Sequence, residues 1–303
     1  MPIHHLVISG GGPVMFRTFG ALRKLEEEGF WERKHLKSIY GTSAGAIVAV
    51  VLCLNYDWDT LIKYFVERPW HEAFPVTAST IFNSFGKRGI FDKSVMETVF
   101  KPLFAAKDVP LDITLKDFYD ITKISIHFYT LELHEFKTVD MCHETFPNIT
   151  LLDAVYMSSA LPIICAPYFL DNKCYLDGGI QSNYPLNKCL DTEPEANVNN
   201  VLGFRNVYPI DTDMSREENV IHEESNILEY IQLFIRKLIK NVNTEENQQN
   251  IKYEVTYETQ RITMEYLQTA FSSQDFRKEL LNTGTEAAMA FLNSISYLET
   301  ESR

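Results

Sequence analysis

The sequence lacks the features of secreted and membrane-spanning proteins. Its 303 residues contain only five cysteines, with no Cys-x-x-Cys pair and no zinc-binding spacing, so we expect reduced thiols. The longest purely apolar run, residues 46–54, is too short for a membrane span, which needs about twenty residues. The amino terminus has no basic region followed by a long apolar stretch, as a secretory signal would. We expect an intracellular, cytoplasmic protein that is not transmembrane and is at most peripheral to membranes.

Basic residues are also scarce. There are 28 Lys and Arg against 41 Asp and Glu, which gives a net charge of −13. This balance argues against a nucleic-acid partner and against docking to a membrane through a broad basic face. No acidic residues have the spacing of a calcium loop, so we expect no cofactor and no metal.

A serine between two glycines is the most informative feature that is present. Residues 41–45 read Gly-Thr-Ser-Ala-Gly, preceded by a short strand pattern and followed by an apolar helix pattern over 44–54. This arrangement predicts a tight strand-to-helix turn in which the glycines relieve crowding around Ser43. The hydroxyl would lie at a helix N-terminus, where backbone dipoles favour negative charge. Ser43 is therefore a candidate nucleophile.

Two further glycine motifs supply the other groups that acyl transfer needs. Gly10, Gly11 and Gly12 follow an apolar strand pattern, and their backbone amides can form an oxyanion hole or a phosphate cradle. A dinucleotide-binding motif fails because Met15 stands where its third glycine belongs, and no Gly-Lys-Ser/Thr follows for a P-loop. Asp177 ends another strand pattern before two glycines, so its carboxylate is a candidate base, although Asp-Gly is also a common turn pair.

Together these motifs resemble the patatin-like phospholipase family of lipid acyl hydrolases, which use a Ser-Asp dyad. The likeness covers about residues 3–210 and includes Ser-Ser-Ala-Leu-Pro at 158–162 and Asn-Tyr-Pro-Leu at 183–186. It implies that Ser43 is the nucleophile, that Asp177 is its base, and that the glycine amides of the first motif form the oxyanion hole. It also implies a fatty-acyl ester of a phospholipid or other glycerolipid as substrate, met at a membrane or micelle surface.

One position departs from the family pattern. The family usually carries arginine or lysine two residues after the third glycine, followed by glycine, whereas this chain has Val14 and Met15 there. Arg17 lies one helical turn beyond Val14 and is either a substitute that binds the substrate headgroup or a solvated helix residue. The departure bears on the recognition of a phosphate headgroup more than on ester hydrolysis.

The order of the predicted elements indicates an α/β fold. Strand and helix patterns alternate through residue 54, which predicts a parallel sheet with right-handed crossovers. We expect a three-layer α/β/α sandwich with a mostly parallel central sheet. The chain is predicted to form one domain over 1–303, with a catalytic core at about 3–210 and a C-terminal helical layer at 211–303. In that layer a helical pattern over 274–292 is interrupted at Gly284.

Aromatic side chains are concentrated between residues 69 and 91, among Pro, Gly and Ser. This segment is either a lid or rim that contacts the lipid, or a loop that packs over a helix layer. The candidate rim residues are Trp70, Phe74, Phe82 and Phe85.

Three other functions stay open. An α/β-hydrolase with a Ser-Asp-His triad would have to use His222, the only histidine after Asp177, but that residue has an acidic neighbourhood. An inactive lipid-binding or interaction module of the same fold is supported only by the departure at Val14. An esterase for soluble, non-lipid esters is the third.

Overall fold

The structure, a computed structural model, describes residues 2–207, 249–259 and 263–301, together with residues 222, 230, 231, 233–235, 237 and 238. The strands in this part of the chain are β1 (His5–Ile8), β2 (Ser38–Thr42), β3 (Gly89–Phe91), β4 (Ser125–Glu132), β5 (Lys137–Met141), β6 (Ile163–Cys165), β7 (Tyr168–Leu170), β8 (Lys173–Asp177), β9 (Val201–Val207) and β10 (Tyr253–Glu258).

The α-helices lie between groups of these strands and after the last one. They are α1 (Met15–Glu27), α2 (Ala44–Cys53), α3 (Trp58–Ile62), α4 (Trp70–Ala73), α5 (Ala78–Lys87), α6 (Ser94–Ala105), α7 (Leu115–Thr122), α8 (Leu151–Ser159), α9 (Leu186–Thr192), α10 (Met264–Ser272) and α11 (Gln274–Glu301). Among the described residues, no helix combines the length and the apolar character needed to cross a membrane.

The central sheet has the strand order β10-β9-β1-β2-β4-β8-β7. Its first five strands run parallel to one another. Strand β8 runs antiparallel to both β4 and β7, and β5 pairs antiparallel with β4. The short strands β3 and β6 form a separate parallel pair. The predicted α/β/α sandwich with a mostly parallel sheet is confirmed.

Burial on both faces explains why the first strands are apolar throughout. Every residue of β1 and β2 is buried, as expected for strands covered by crossover helices on each side. Helix α1 buries Phe19, Leu22 and Leu25 and leaves its charged residues outside, as its sequence pattern predicts. Helix α2 is buried almost all round, which matches its uninterrupted apolar sequence.

The C-terminal helix α11 packs closely against α1. A Cβ on Gly20 would come within 2.0 Å of the carbonyl oxygen of Leu281, and one on Gly284 within 1.9 Å of the carbonyl oxygen of Arg17. Helix α11 continues through Gly284 without the predicted interruption. Glycine occupies this position because a side chain there would clash with the backbone of α1. Residues 211–221 and most of 223–248 of the predicted helical layer lie outside the described residues.

Candidate active site

Ser43 occupies the turn between β2 and α2. Its backbone has φ 55° and ψ −118°, a left-handed conformation that is uncommon for a residue with a side chain. The flanking glycines permit this turn. A Cβ on Gly41 would lie 2.6 Å from the carbonyl group of Gly45, and one on Gly45 would lie 2.3 Å from the carbonyl oxygen of Ile8. The strand-turn-helix context predicted for the serine is therefore present.

Strand register brings Asp177 next to Ser43. Thr42, the last residue of β2, is opposite Tyr129 of β4, and Asp177, the last residue of β8, is opposite the next residue, Thr130. Because β2 and β8 meet β4 at consecutive positions, their ends are adjacent although they are far apart in sequence. The side chain of Ser43 lies near enough to the Asp177 carboxylate to lower the pKa of that carboxylate.

The Asp177 carboxylate is buried, with only 5% of the residue exposed. Burial raises its pKa from the ordinary value to about 6, although the nearby Ser43 hydroxyl and a hydrogen bond from the Gly179 amide (2.7 Å) oppose that rise. A carboxylate with this pKa is ionised at neutral pH and is still basic enough to take up a proton. The pair can therefore act as a nucleophile and its general base.

The glycine-rich loop lies against the serine, and one of its three predicted oxyanion donors is already engaged. The N–H of Gly10 donates to the carbonyl oxygen of Asn183 at 3.0 Å, so this residue is removed from the predicted set. A Cβ on Gly10 would lie 3.0 Å from the Cβ of Ser43, which shows how closely the loop approaches the nucleophile. Gly11 (φ 150°) and Gly12 (φ 54°) both have positive φ angles and are left as the candidate donors.

Anchoring of the loop explains which way these amides point. The carbonyl oxygen of Gly10 accepts a hydrogen bond from the Nδ2 atom of Asn206. In a trans peptide the N–H and C=O groups point in opposite directions, so the Gly11 N–H is turned away from Asn206. Gly12 begins a short 3₁₀ turn, where N–H groups have no partner within the helix.

Three polar residues that hold this arrangement were not identified as site residues from the sequence. Ser158 Oγ accepts a hydrogen bond from the N–H of Ser43 (2.9 Å) and donates to the carbonyl oxygen of Tyr129 (2.7 Å), which fixes the nucleophile's backbone. Asn183 and Asn206 hold Gly10. The first two lie in the Ser-Ser-Ala-Leu-Pro and Asn-Tyr-Pro-Leu stretches that carry the family resemblance, whereas Asn206 follows no motif.

The structure does not bring Arg17 to the dyad. Its side chain is half-buried and donates to the backbone carbonyl of Glu258, at the end of β10 and three strands from the strand that precedes Ser43. Val14, which stands where the family has a basic residue, is buried in the core. Among the described residues, no contact between Arg17 and the dyad supports the predicted role of Arg17 in headgroup binding.

The aromatic rim divides into two parts. Trp70 and Phe74 are buried, so their assignment to a lipid-contacting rim was wrong. The two rings stack with centroids 5.8 Å apart, and the Trp70 indole N–H donates to the carbonyl oxygen of Phe65 at 2.7 Å. Phe82 and Phe85 of α5 are 79% and 80% exposed, so they are free to contact a lipid surface.

Helix α5 is linked through two short strands to the neighbourhood of Asp177. It is followed by β3, which pairs with β6. Cys165 of β6 is close enough to Asp177 for the charge of that residue to act on its thiol. Burial, and after it the charge of Asp177, raise the pKa of the Cys165 thiol to about 12. His222, which the alternative triad would need, has an exposed side chain, whereas Asp177 is buried.

One protein family and two curated viral proteins are similar to this chain. The family described as patatin-like phospholipase matches residues 6–190, more than half of the chain. An uncharacterised protein of Acanthamoeba polyphaga mimivirus is 26% identical over 184 residues, which cover 61% of this chain and 60% of that protein. A probable lipid hydrolase of Invertebrate iridescent virus 6 is 24% identical over 190 residues, with 60% and 61% coverage. The chain spans about three-fifths of the length of these relatives.

A solved structure is similar over nearly the whole chain. VipD from Legionella pneumophila superposes with a TM-score of 0.55 at 15% identity, covering 96% of this chain and 67% of that one. At this identity the likeness bears on the fold alone. Because the family match extends over more than half of its residues, the chain belongs to the patatin-like phospholipase family.

Proposed function

We propose that this protein is a serine acyl hydrolase that cleaves fatty-acyl esters of phospholipids or other glycerolipids. The observation that carries the proposal is the position of Ser43, which lies on a strained turn against the glycine-rich loop and beside the buried carboxylate of Asp177. Membership of the patatin-like phospholipase family and similarity to a probable lipid hydrolase support a lipid ester as the substrate.

In the first half-reaction, Asp177 accepts the hydroxyl proton of Ser43 while the Ser43 oxygen attacks the carbonyl carbon of the ester. The tetrahedral oxyanion is stabilised by the amides of Gly11 and Gly12, which are held in place before the substrate arrives. When this intermediate collapses, the bond to the leaving alcohol breaks, and the alcohol takes the proton from Asp177. The products are an acyl-enzyme on Ser43 and an alcohol such as a lysolipid.

In the second half-reaction, water replaces the alcohol. Asp177 removes a proton from the water molecule as its oxygen attacks the acyl carbon, and the oxyanion forms again in the same place. Collapse releases the fatty acid and returns the proton to the Ser43 oxygen. These steps use no metal ion, so we expect added Ca²⁺ to leave the rate unchanged.

Helix α5 is proposed to contact the lipid surface through Phe82 and Phe85. Ile81 is also 47% exposed, so three large apolar side chains extend from one short helix. Exposed apolar groups on an amphipathic helix insert at the boundary between headgroups and acyl chains. This contact does not depend on net charge, and it therefore suits a chain that is acidic overall.

The test is release of fatty acid from mixed phospholipid vesicles by wild type and by Ser43→Ala. We expect release by the wild type, and a loss of at least 10³-fold in the variant, because nothing else in the dyad can form the acyl-enzyme. Release that survives in Ser43→Ala would overturn the proposed nucleophile. A soluble short-chain ester, assayed in parallel, distinguishes a lipid hydrolase from an esterase that acts only on soluble esters.

Two further observations test the Ser-Asp-His triad and the inactive lipid-binding module. His222→Ala should keep full activity if Asp177 acts without a histidine, whereas a Ser-Asp-His triad would lose most of it. If wild type hydrolyses neither vesicles nor soluble esters but still binds vesicles, the fold serves lipid binding and the proposal of catalysis is wrong.

A further inference from the structure

Three side chains of types that can bind a metal ion lie together at one end of the β4–β5 pair, away from the dyad. In the antiparallel register Phe128 is opposite Met141 and Tyr129 is opposite Asp140, so His127 and Cys142, the next residues outward, lie at the same end of the pair. One ligand atom from each of His127, Asp140 and Cys142 can be chosen such that all three lie within 4.8 Å of one another. The linear spacing of these residues follows no zinc motif, so no pattern in the sequence indicates the group.

The donor atoms suit a thiophilic divalent cation. Imidazole nitrogen, thiolate sulfur and carboxylate oxygen are the ligands that Zn²⁺ binds, and three protein ligands leave a fourth tetrahedral position for water. His127 and Cys142 are buried, with 4% and 2% exposed. Burial of this kind keeps competing water away from the nitrogen and sulfur ligands.

An unsatisfied oxygen atom gives independent support. Asp140 Oδ2 accepts hydrogen bonds from His127 Nδ1 (2.8 Å) and from the Tyr129 hydroxyl (3.3 Å). The other oxygen, Oδ1, is buried and has no hydrogen-bond partner among the described residues. A buried carboxylate oxygen without a partner is costly, and a bound cation would satisfy it.

Neighbouring residues hold the three side chains in place. The ring of Tyr40 stacks on that of His127, with centroids 4.2 Å apart and planes 5° from parallel. The hydroxyl of Thr145 donates to the carbonyl oxygen of Asp140 (2.7 Å) and accepts from the N–H of Cys142 (3.1 Å), which fixes the turn after β5. Supporting contacts of this type orient the ligands in metal sites.

We propose that His127, Asp140 and Cys142 bind Zn²⁺ at a site that joins β4 to β5. Binding through His127 Nδ1 would replace its hydrogen bond with Asp140 by two bonds to the metal. The ring would then keep a single proton, on Nε2 beside the Ser125 hydroxyl (3.0 Å), and any second ring proton and the thiol proton of Cys142 would pass to solvent. His127 precedes Thr130, the partner of Asp177, by three residues, or about 10 Å of strand. The ion therefore does not contact the dyad. Its effect is to stabilise the pairing of β5 with β4, the strand that also pairs with β8 and its Asp177.

The test is titration of the full chain with Co²⁺, which reports on thiolate ligands through its absorption spectrum. We expect one Co²⁺ per chain, with intense tetrahedral d–d bands and a sulfur-to-cobalt charge-transfer band that Zn²⁺ displaces. Cys142→Ala should abolish the charge-transfer band. Cys174→Ala is the matched control, because that cysteine is also buried on a strand of the same sheet but is not part of the group.

Asp140→Asn keeps the test decisive if Cys142→Ala does not fold. Asparagine has nearly the same shape, and this residue is partly exposed, so the variant should fold while its Zn²⁺ dissociation constant rises by about 100-fold. The thermal unfolding midpoint of wild type should rise with added Zn²⁺, and that of Asp140→Asn should not. Absence of a thiolate band in wild type, or a band that persists in Cys142→Ala, would overturn the proposal.

Discussion

At the scale of single residues, the proposed reaction depends on one buried carboxylate. Asp177 is buried at the end of β8, which pairs with β4, and a hydrogen bond from the Gly179 amide and the nearby Ser43 hydroxyl favour its charged form. Burial therefore raises its pKa, which makes the carboxylate a stronger base than an exposed aspartate. The same environment sets the pH range in which the enzyme can work.

We predict that kcat/KM rises with pH and is half-maximal near pH 6. Below that value Asp177 is protonated in the folded protein and cannot accept the proton of Ser43; above it the carboxylate is ionised and the rate reaches a plateau. The measurement is hydrolysis of a soluble ester between pH 4.5 and 8.5, with circular dichroism to confirm that the protein stays folded. A half-maximum near pH 4, the value of an exposed aspartate, would contradict the assignment of the base.

Asn206 is proposed to position the backbone of the candidate oxyanion hole. Because it anchors the carbonyl of Gly10, we predict that Asn206→Ala lowers kcat by about 10-fold with little change in KM, as when a transition-state contact is weakened. Steady-state kinetics on a soluble ester measure both constants. Asn293→Ala, at an exposed position on α11, is the control and should match wild type. A rise in KM at constant kcat would place Asn206 in substrate binding instead.

At the scale of secondary-structure elements, local patterns predict features that depend on neighbours in the chain. The turn at Ser43 followed from glycine spacing, α1 from apolar periodicity, and α2 from an uninterrupted apolar run. The rim was only half predicted, since composition alone does not distinguish Trp70, which packs in the core, from Phe82, which does not. The engaged amide of Gly10 depends on a contact with Asn183, distant in the sequence, and no local pattern indicates it.

Helix α5 should matter only when the substrate is in a membrane. We predict that replacing both Phe82 and Phe85 by serine lowers hydrolysis of phospholipid vesicles by at least 10-fold and leaves hydrolysis of a soluble ester unchanged, because two aromatic contacts with the lipid are lost. Ile121→Ser on α7, where the isoleucine is 66% exposed, is the control for loss of a surface apolar side chain. Equal vesicle rates in wild type and the double variant would rule out lipid contact through α5.

At the scale of the whole molecule, the C-terminal helices belong to the structure that carries the catalytic loop. Helix α11 crosses α1, the helix that follows the glycine-rich loop, and its Arg277 is buried without a carboxylate partner among the described residues. The guanidinium donates instead to backbone carbonyl oxygens of Val66 (2.8 Å), Arg68 (3.0 Å) and Ala270 (2.7 Å). These contacts support the prediction that the catalytic core and the C-terminal layer form one domain.

Arg277→Met should test that connection. We predict a loss of about 3 kcal/mol in the free energy of unfolding, because several buried carbonyl groups lose their donor while the apolar stem is retained. Urea denaturation followed by circular dichroism gives the value, and a single cooperative transition is expected in both proteins. Lys278→Met, with an exposed side chain next in sequence, should leave stability unchanged. An unfolding transition of Arg277→Met that coincides with wild type would show that the buried contacts contribute nothing.

The fold as a whole was more predictable than the packing that completes it. Alternating strand and helix patterns are sufficient for a parallel sheet with crossovers, because both faces of such strands must be apolar. The antiparallel strand β8, which carries Asp177 to Ser43, and the pairing of Gly20 with Gly284 across two helices arise from tertiary contacts. A single sequence records such contacts only as isolated glycines and aspartates, whose partners cannot be identified until the chain is folded.

Labelling with a long-chain alkyl fluorophosphonate, followed by mass spectrometry of the peptides, is the sharpest test of the Ser43-Asp177 dyad. We expect one adduct per chain, located on Ser43, because Asp177 lies beside that hydroxyl and can accept its proton. The adduct should be absent from Ser43→Ala and should form far more slowly in Asp177→Asn. Labelling at another residue, or rapid labelling of Ser43 in Asp177→Asn, would contradict the proposed dyad.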